Sequence, residues 1–207
     1  KQYALDIALR LGKKIKANLK DVEVIYTRDK DVFIPLNERA EIANKNKADL
    51  FISIHCNASS SSNASGTETY VMGLHKTEAN LDLAKRENNV ILLEENYTKS
   101  YKGFNPNSPL AHIMLANYQS AFMNQSMDFA ARVENQFVSH GNKSRGVKQA
   151  GFLVIWETTM PSVLIETGYL SNPTDAKKLS TESGRENIAQ AIYKAFNSYK
   201  SDVERNQ

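Results

Sequence analysis

His55 and Glu166 are the two residues of this chain whose placement points most directly to chemistry. Each ends a short aliphatic run: residues 50–54 (LFISI) lead into His55, and residues 162–165 (SVLI) lead into Glu166. Runs of that length, rich in β-branched and aliphatic residues, suit strands buried on both faces of a sheet. In open α/β sheets, ligands gather at the carboxyl ends of parallel strands. An imidazole there is a candidate metal ligand, and a carboxylate a candidate general base. The interior of a buried strand excludes both, because an unpaired charge there is costly. The competing structural explanation is a satisfied core histidine and a salt-bridged carboxylate.

The chain that must position them has 207 residues, enough for one sizeable core. Its hydrophobic share of 41% lies in the globular range, and no stretch is long and apolar enough to span a membrane. A net charge of +3 with Lys and Arg interleaved among Asp and Glu carries no basic block, so no nucleic-acid partner is expected. Cys56 is the one cysteine, so an internal disulfide is excluded. Next to His55 on a strand it points to the opposite face, which removes it as a co-ligand. No secretory signal stands at Lys1. Residues 1–20 already read as a helix with Leu5, Ala8, Gly12, Ile15 and Leu19 on one face and no cap before them. The expectation is a domain incomplete at its N-terminal end.

Residues 23–27 (EVIYT) read as a strand, and Pro35 opens a helix carrying Leu36, Ala40 and Ala43. The run into His55 completes a β-α-β order, which favours parallel pairing. Residues 57–65 form a Ser/Asn loop and residues 66–72 (GTETYVM) another strand. Residues 73–140 differ in character and read as a helical insertion. Its last part is a single amphipathic helix from Ser108 through Phe137, spanning roughly 45 Å. His75 and His112 fall within the insertion and read as surface residues. The sheet pattern resumes with strands at residues 151–155 and 162–166. Asn172 and Pro173 cap a short helix, Ser183 caps the last one, and residues 201–207 are a polar tail. The fold class is α/β: a single domain over residues 1–200, a mostly parallel twisted sheet flanked by helices, interrupted at 73–140.

Two segments carry a family resemblance. The first holds Thr27, Arg28 and Asp29, then Leu36, Asn37, Glu38 and Arg39, then Ala43 and Asn44, then residues 48–58 (ADLFISIHCNA). The second is residues 161–172 (PSVLIETGYLSN). Together they resemble the zinc-dependent N-acetylmuramoyl-L-alanine amidases, which hydrolyse peptidoglycan at the lactyl–peptide junction. The resemblance implies zinc held by two histidines and a glutamate, with His55 as the second histidine and Glu166 as the catalytic glutamate beside the metal. The family's first histidine and its glutamate ligand have no counterpart here, so those ligands are expected upstream of Lys1. His140 and Gly141 resemble the family's His-Gly turn only superficially. Zinc lowers the pKa of a bound water and polarises the carbonyl, while Glu166 would shuttle the proton.

The resemblance also implies regulation. In the cell-division branch of the family an inserted helical segment covers the site, a glutamate from it fills the open zinc position, and a partner of the LytM-domain type displaces it. Glu94 and Glu95 are the candidate blocking carboxylates, with Glu87 a weaker one. Asn57 and Arg28 are candidate substrate-binding residues, although Arg28 and Arg39 also suit core-bracing ion pairs. Peptidoglycan as substrate implies the periplasm or cell envelope. Two other functions compete: a non-catalytic peptidoglycan-binding or regulatory module of the same fold, and a glycosidase using Glu166. The latter needs a second carboxylate within about 5–10 Å, and the sequence offers no second strand-end Asp or Glu.

Overall fold

The structure, a computed structural model, describes residues 1–116 and 121–205. Helix α1 (Gln2–Asn18) leads through an extended stretch to α2 (Leu36–Lys45), then to strand β1 (Phe51–Asn57) and strand β2 (Thr67–Val71). Helix α3 (Glu78–Asn88), a 3-10 turn at Asn89–Leu93, α4 (Tyr97–Ser100), α5 (Pro109–Ala116) and α6 (Met123–Ser139) follow. Strand β3 (Ser144–Gln149), a 3-10 turn at Leu153–Ile155, strand β4 (Ser162–Tyr169), α7 (Pro173–Ser180) and α8 (Glu182–Arg205) complete the chain.

The four strands form one sheet in the order β1-β4-β2-β3. β1 runs parallel to β4, and β2 parallel to β3, while β2 and β4 are antiparallel. The expected α/β, mostly parallel architecture is therefore present. β4 is buried along its whole length, as its unbroken aliphatic run requires. Its residues alternate between two cores. Val163 and Ile165 face α1, α6 and α8, against Ile7, Leu11, Phe129, Val133, Phe137, Ile188 and Ile192. Leu164 faces the other side, with Leu36, Phe51, Tyr70, Leu83, Ile91 and residues 152–155.

Several sequence expectations give way. Residues 23–27 are not a strand; they pair with no strand among the described residues and lie over α1, where Tyr26 meets Gly12. Residues 151–155 are not a strand either. They are buried but irregular: Phe152 packs edge-on to Tyr70 at 5.2 Å, and Asn88 satisfies their backbone by accepting from Leu153 N (2.9 Å) and donating to Gly151 O (2.8 Å). The strand in this region is β3, a polar sheet edge. The helix expected over residues 108–137 is two helices, α5 and α6, with residues 117–120 outside the described set. α6 is a core element of the sheet's first face. Thr181, not Ser183, caps α8, its Oγ1 accepting from Gly184 N at 3.1 Å. The expected tail continues α8 to Arg205 and is tied down by an Asp202–Arg132 ion pair at 2.7 Å.

α2 starts where Pro35 predicts, and its first N–H groups find an acceptor from far away. Tyr101 Oη accepts from Leu36 N (3.0 Å) and Asn37 N (3.3 Å) and donates to the Glu94 carboxylate (2.8 Å). This satisfies donors that a helix start otherwise leaves orphaned.

Candidate metal and catalytic centre

The two aliphatic runs lie side by side. In the parallel β1–β4 ladder His55 is the direct partner of Glu166, as Phe51 is of Ser162. Both strands continue past these residues, and the register slips between His55 and Asn57. From the other side, β2 sets Glu68 opposite Glu166. Three chemistry-bearing residues thus share one row across three strands, on one face of the sheet.

Glu166 is fully buried, and neither carboxylate oxygen has a hydrogen-bond partner. Burial first, and the nearby Glu87 charge second, push its carboxyl well above the usual range. His55 is held at both ring nitrogens, by Ser53 Oγ at Nε2 (3.0 Å) and by Glu87 Oε2 at Nδ1 (3.0 Å). Glu87 comes from α3, whose start is fixed by the Thr77 side chain accepting from Asn80 N. Burial opposes ionisation of Glu87, but His55 and Arg86 outweigh it and hold the carboxyl below its ordinary value. Arg86, the preceding residue, clamps the cleft wall by donating to Asn57 Oδ1 (2.8 Å) and Ala58 O (2.7 Å).

His55, Glu87 and Glu166 each offer a ligand atom, and these atoms lie within 4.8 Å of one another. One imidazole and two carboxylates form a donor set suited to zinc. An orphaned buried carboxylate is the feature such an ion would compensate. The residues present fit a metal.

Placement separates the other candidates. Glu94 lies on Tyr101 at the start of α2, not on His55. Glu95, with Glu94, lines a separate surface pocket beside Phe33 and Glu38. Of the insertion's glutamates named from sequence, Glu87, the one ranked weakest, is the one at the site. Asn57 is at the cleft and nearly buried, with Nδ2 donating to Glu68 Oε2 at 3.3 Å. Arg28 donates instead to the carbonyls of Lys30 and Lys1 and faces Asp31 at 3.8 Å. Cys56 points to the opposite face, beside Thr167 Oγ1 at 3.4 Å. His112 is buried rather than on the surface, its Nε2–H donating to Pro106 O at 2.9 Å.

Sequence reasoning missed Glu68. It is 1% exposed and accepts from Arg145 Nε and Lys148 Nζ at Oε1, both at 2.5 Å, and from Tyr70 Oη at Oε2 at 2.8 Å. Burial works against its charge, but the two cations outweigh burial and lower its pKa. The alternation in residues 67–71 sets Glu68 and Tyr70 on one face; what the sequence hides is that this strand pairs with β4. Glu87 also brings a second carboxylate close to Glu166, so spacing alone does not dismiss the glycosidase alternative.

Comparison with known proteins decides between those chemistries. Residues 1–198 match the family described as N-acetylmuramoyl-L-alanine amidase. The chain is 30% identical over 205 residues to N-acetylmuramoyl-L-alanine amidase AmiC of Escherichia coli O6:H1, covering 95% of this chain and 47% of AmiC. It thus spans about half the length of that relative. The crystal structure of N-acetylmuramoyl-L-alanine amidase from Clostridium difficile 630 superposes with a TM-score of 0.70 at 26% identity, covering 97% of this chain and 83% of that one. The catalytic domain of CwlV, an amidase of Bacillus (Paenibacillus) polymyxa var. colistinus, gives 0.63 at 30% identity over 97% and 84%. This chain belongs to the N-acetylmuramoyl-L-alanine amidase family.

Proposed function

We propose that this chain is the catalytic domain of a zinc-dependent peptidoglycan amidase that hydrolyses the amide between N-acetylmuramic acid and L-alanine of the stem peptide. The single observation that carries this reading is Glu166: a fully buried carboxylate with no partner, in register with His55. Zinc, when bound, supplies an electrophile for the carbonyl oxygen and acidifies water. His55 is its ligand from this chain. Glu166 takes a proton onto its carboxylate from the attacking water and returns it to the leaving L-alanine amine. Asn57, on the cleft wall, orients substrate.

The other two ligands fall in a segment preceding Lys1, as the family resemblance implies. A cavity of about 590 Å³ runs between β1, α1, α2 and residues 21–28, and β1 is an edge strand. That space supports an added strand beside His55. Glu87 is the blocking carboxylate of an autoinhibited state, and Arg86 helps hold α3 in place. A partner of the LytM-domain type would favour the open form, since a ligand shifts such an equilibrium only by binding one state better. The enzyme acts in wall remodelling or daughter-cell separation, in the periplasm or cell envelope where its substrate lies.

The test is digestion of purified peptidoglycan by the complete protein. New L-alanine amino termini without new reducing sugars are expected; new reducing ends would point to glycan cleavage instead. Zinc content distinguishes the enzyme from a non-catalytic module of the same fold. Glu87→Ala is expected to raise basal turnover about tenfold or more, and unchanged turnover would remove the inhibitory role.

A further inference from the structure

Beside the proposed centre lies an imbalance of charge. Buried Glu68 is one carboxylate facing two cations, Arg145 and Lys148, both drawn to the same oxygen, Oε1. The second oxygen is occupied by neutral donors, Tyr70 and Asn57. The cluster therefore carries one surplus positive charge. It sits on the sheet face of Glu166, because Glu68 and Glu166 are cross-strand partners. It is also one hydrogen bond from Asn57, the residue that Arg86 of α3 clamps.

Arg145 is the open member. Its side chain is 35% exposed, its Nε is fixed by Glu68, and its guanidinium lies over the Tyr169 ring at 5.6 Å. Its two Nη groups make no hydrogen bond or ion pair with any described residue. A guanidinium fixed at one nitrogen and stacked on a ring is preorganised to receive a carboxylate through the rest of its fork. Lys148 reinforces the field but is less exposed, at 23%.

We propose that Arg145, backed by Lys148, determines specificity by binding a free carboxylate of the leaving stem peptide. The assignment rests on the amidase reading. In that substrate the lactyl carboxyl is consumed in the scissile amide and the sugars are uncharged. The anion that answers a cationic wall next to the cleft is therefore on the peptide, and the carboxylate nearest the cut is the α-carboxyl of the γ-linked D-glutamate that follows L-alanine. Amidation of that carboxyl would remove the charge with little change of shape.

The experiment measures kcat/KM of the complete protein on two probes: disaccharide–L-Ala–γ-D-Glu with its α-carboxyl free, and the same compound with that carboxyl amidated. The parent is expected to prefer the acid by about tenfold, in line with a hydrogen bond to a charged group. Arg145→Lys keeps a cation for Glu68 but loses the fork. It should bring the preference below about threefold, chiefly through a higher KM for the acid probe. Equal cleavage of both probes by the parent would overturn the assignment. So would an Arg145→Lys variant that keeps the preference, or one that slows both probes equally, since Arg145 would then act only through Glu68. If neither the parent nor Glu87→Ala cuts either probe, the amidase reading itself falls, and this assignment with it.

Discussion

Two of the carboxylates buried against this sheet, Glu166 on one face and Glu134 of α6 on the other, are treated in opposite ways. Glu134 of α6 accepts from Thr69 Oγ1 at 2.6 Å, from Thr67 Oγ1 at 3.0 Å and from Ser144 Oγ at 2.5 Å. It ties α6 to β2 and β3. Glu166 is buried at least as deeply and has no partner at all. Burial raises the pKa of both. The difference is that hydrogen bonds partly offset burial at Glu134, whereas no described residue hydrogen-bonds Glu166. A polar group buried without compensation costs free energy. A group buried at that cost is the kind a site keeps for a ligand or a reaction.

Substitution should separate the two most sharply at Glu166. Glu166→Gln is expected to lower turnover by roughly 10²- to 10⁴-fold, with thermal stability close to the parent because the carboxyl has no hydrogen bond to lose. Activity and melting measured together check both halves; an active variant would end the proton-shuttle role. Glu134→Ala should do the reverse. Three hydroxyls lose their acceptor, costing about 3 kcal/mol, readable as a lower denaturation midpoint. A variant as stable as the parent would show those bonds to be unimportant.

The smallest effect concerns a third buried group, His112, which is satisfied in the manner of Glu134. Burial lowers its pKa from 6.5, so the folded protein keeps it neutral. Below pH 6.5 the unfolded chain takes up a proton that the folded chain still refuses. Stability should therefore fall as pH drops from 6.5 through the depressed folded value. Denaturant titrations at pH 7.5 and 5.5 test this, with His112→Gln expected to show a shallower loss; an identical loss would assign the acid sensitivity to other groups.

The same contrast explains what the sequence could disclose. β4 was legible because a strand covered on both faces must be aliphatic throughout. α2 and α7 were legible because Pro35 and the Asn172–Pro173 pair mark helix starts. β3 was not, since an edge strand (SRGVKQ) half open to solvent needs no apolar run. Residues 151–155 misled for the opposite reason: they are apolar because they are buried, and their backbone is satisfied by Asn88 rather than by a ladder. Of the centre, His55 and Glu166 were visible through the runs they end and the family resemblance. Glu87 was visible only as the weakest of three candidate blocking carboxylates, and Glu68 not at all. Their roles come from where α3 lands and from which strand β2 pairs with, and both are long-range consequences of the fold.

Asn88 and Tyr101 have a consequence for how readily the cleft is uncovered. Asn88 joins the end of α3 to the backbone at Gly151 and Leu153, and Tyr101 joins the segment after it to the start of α2. Lifting Glu87 away from His55 strains one anchor directly and loads the other. A hydrogen bond of about 1 kcal/mol corresponds to a factor of about five in an equilibrium constant, so in the proposed inhibited state each anchor that must break to open the cleft would multiply the preference for the closed form. The same arithmetic makes release inexpensive for an outside agent. A contact elsewhere on the segment that is stronger in the open form by a few kcal/mol inverts the ratio without touching the catalytic residues. In the proposed inhibited state, the guard on the cleft would thus be set by distant amide and phenol groups, and its stringency tuned one bond at a time.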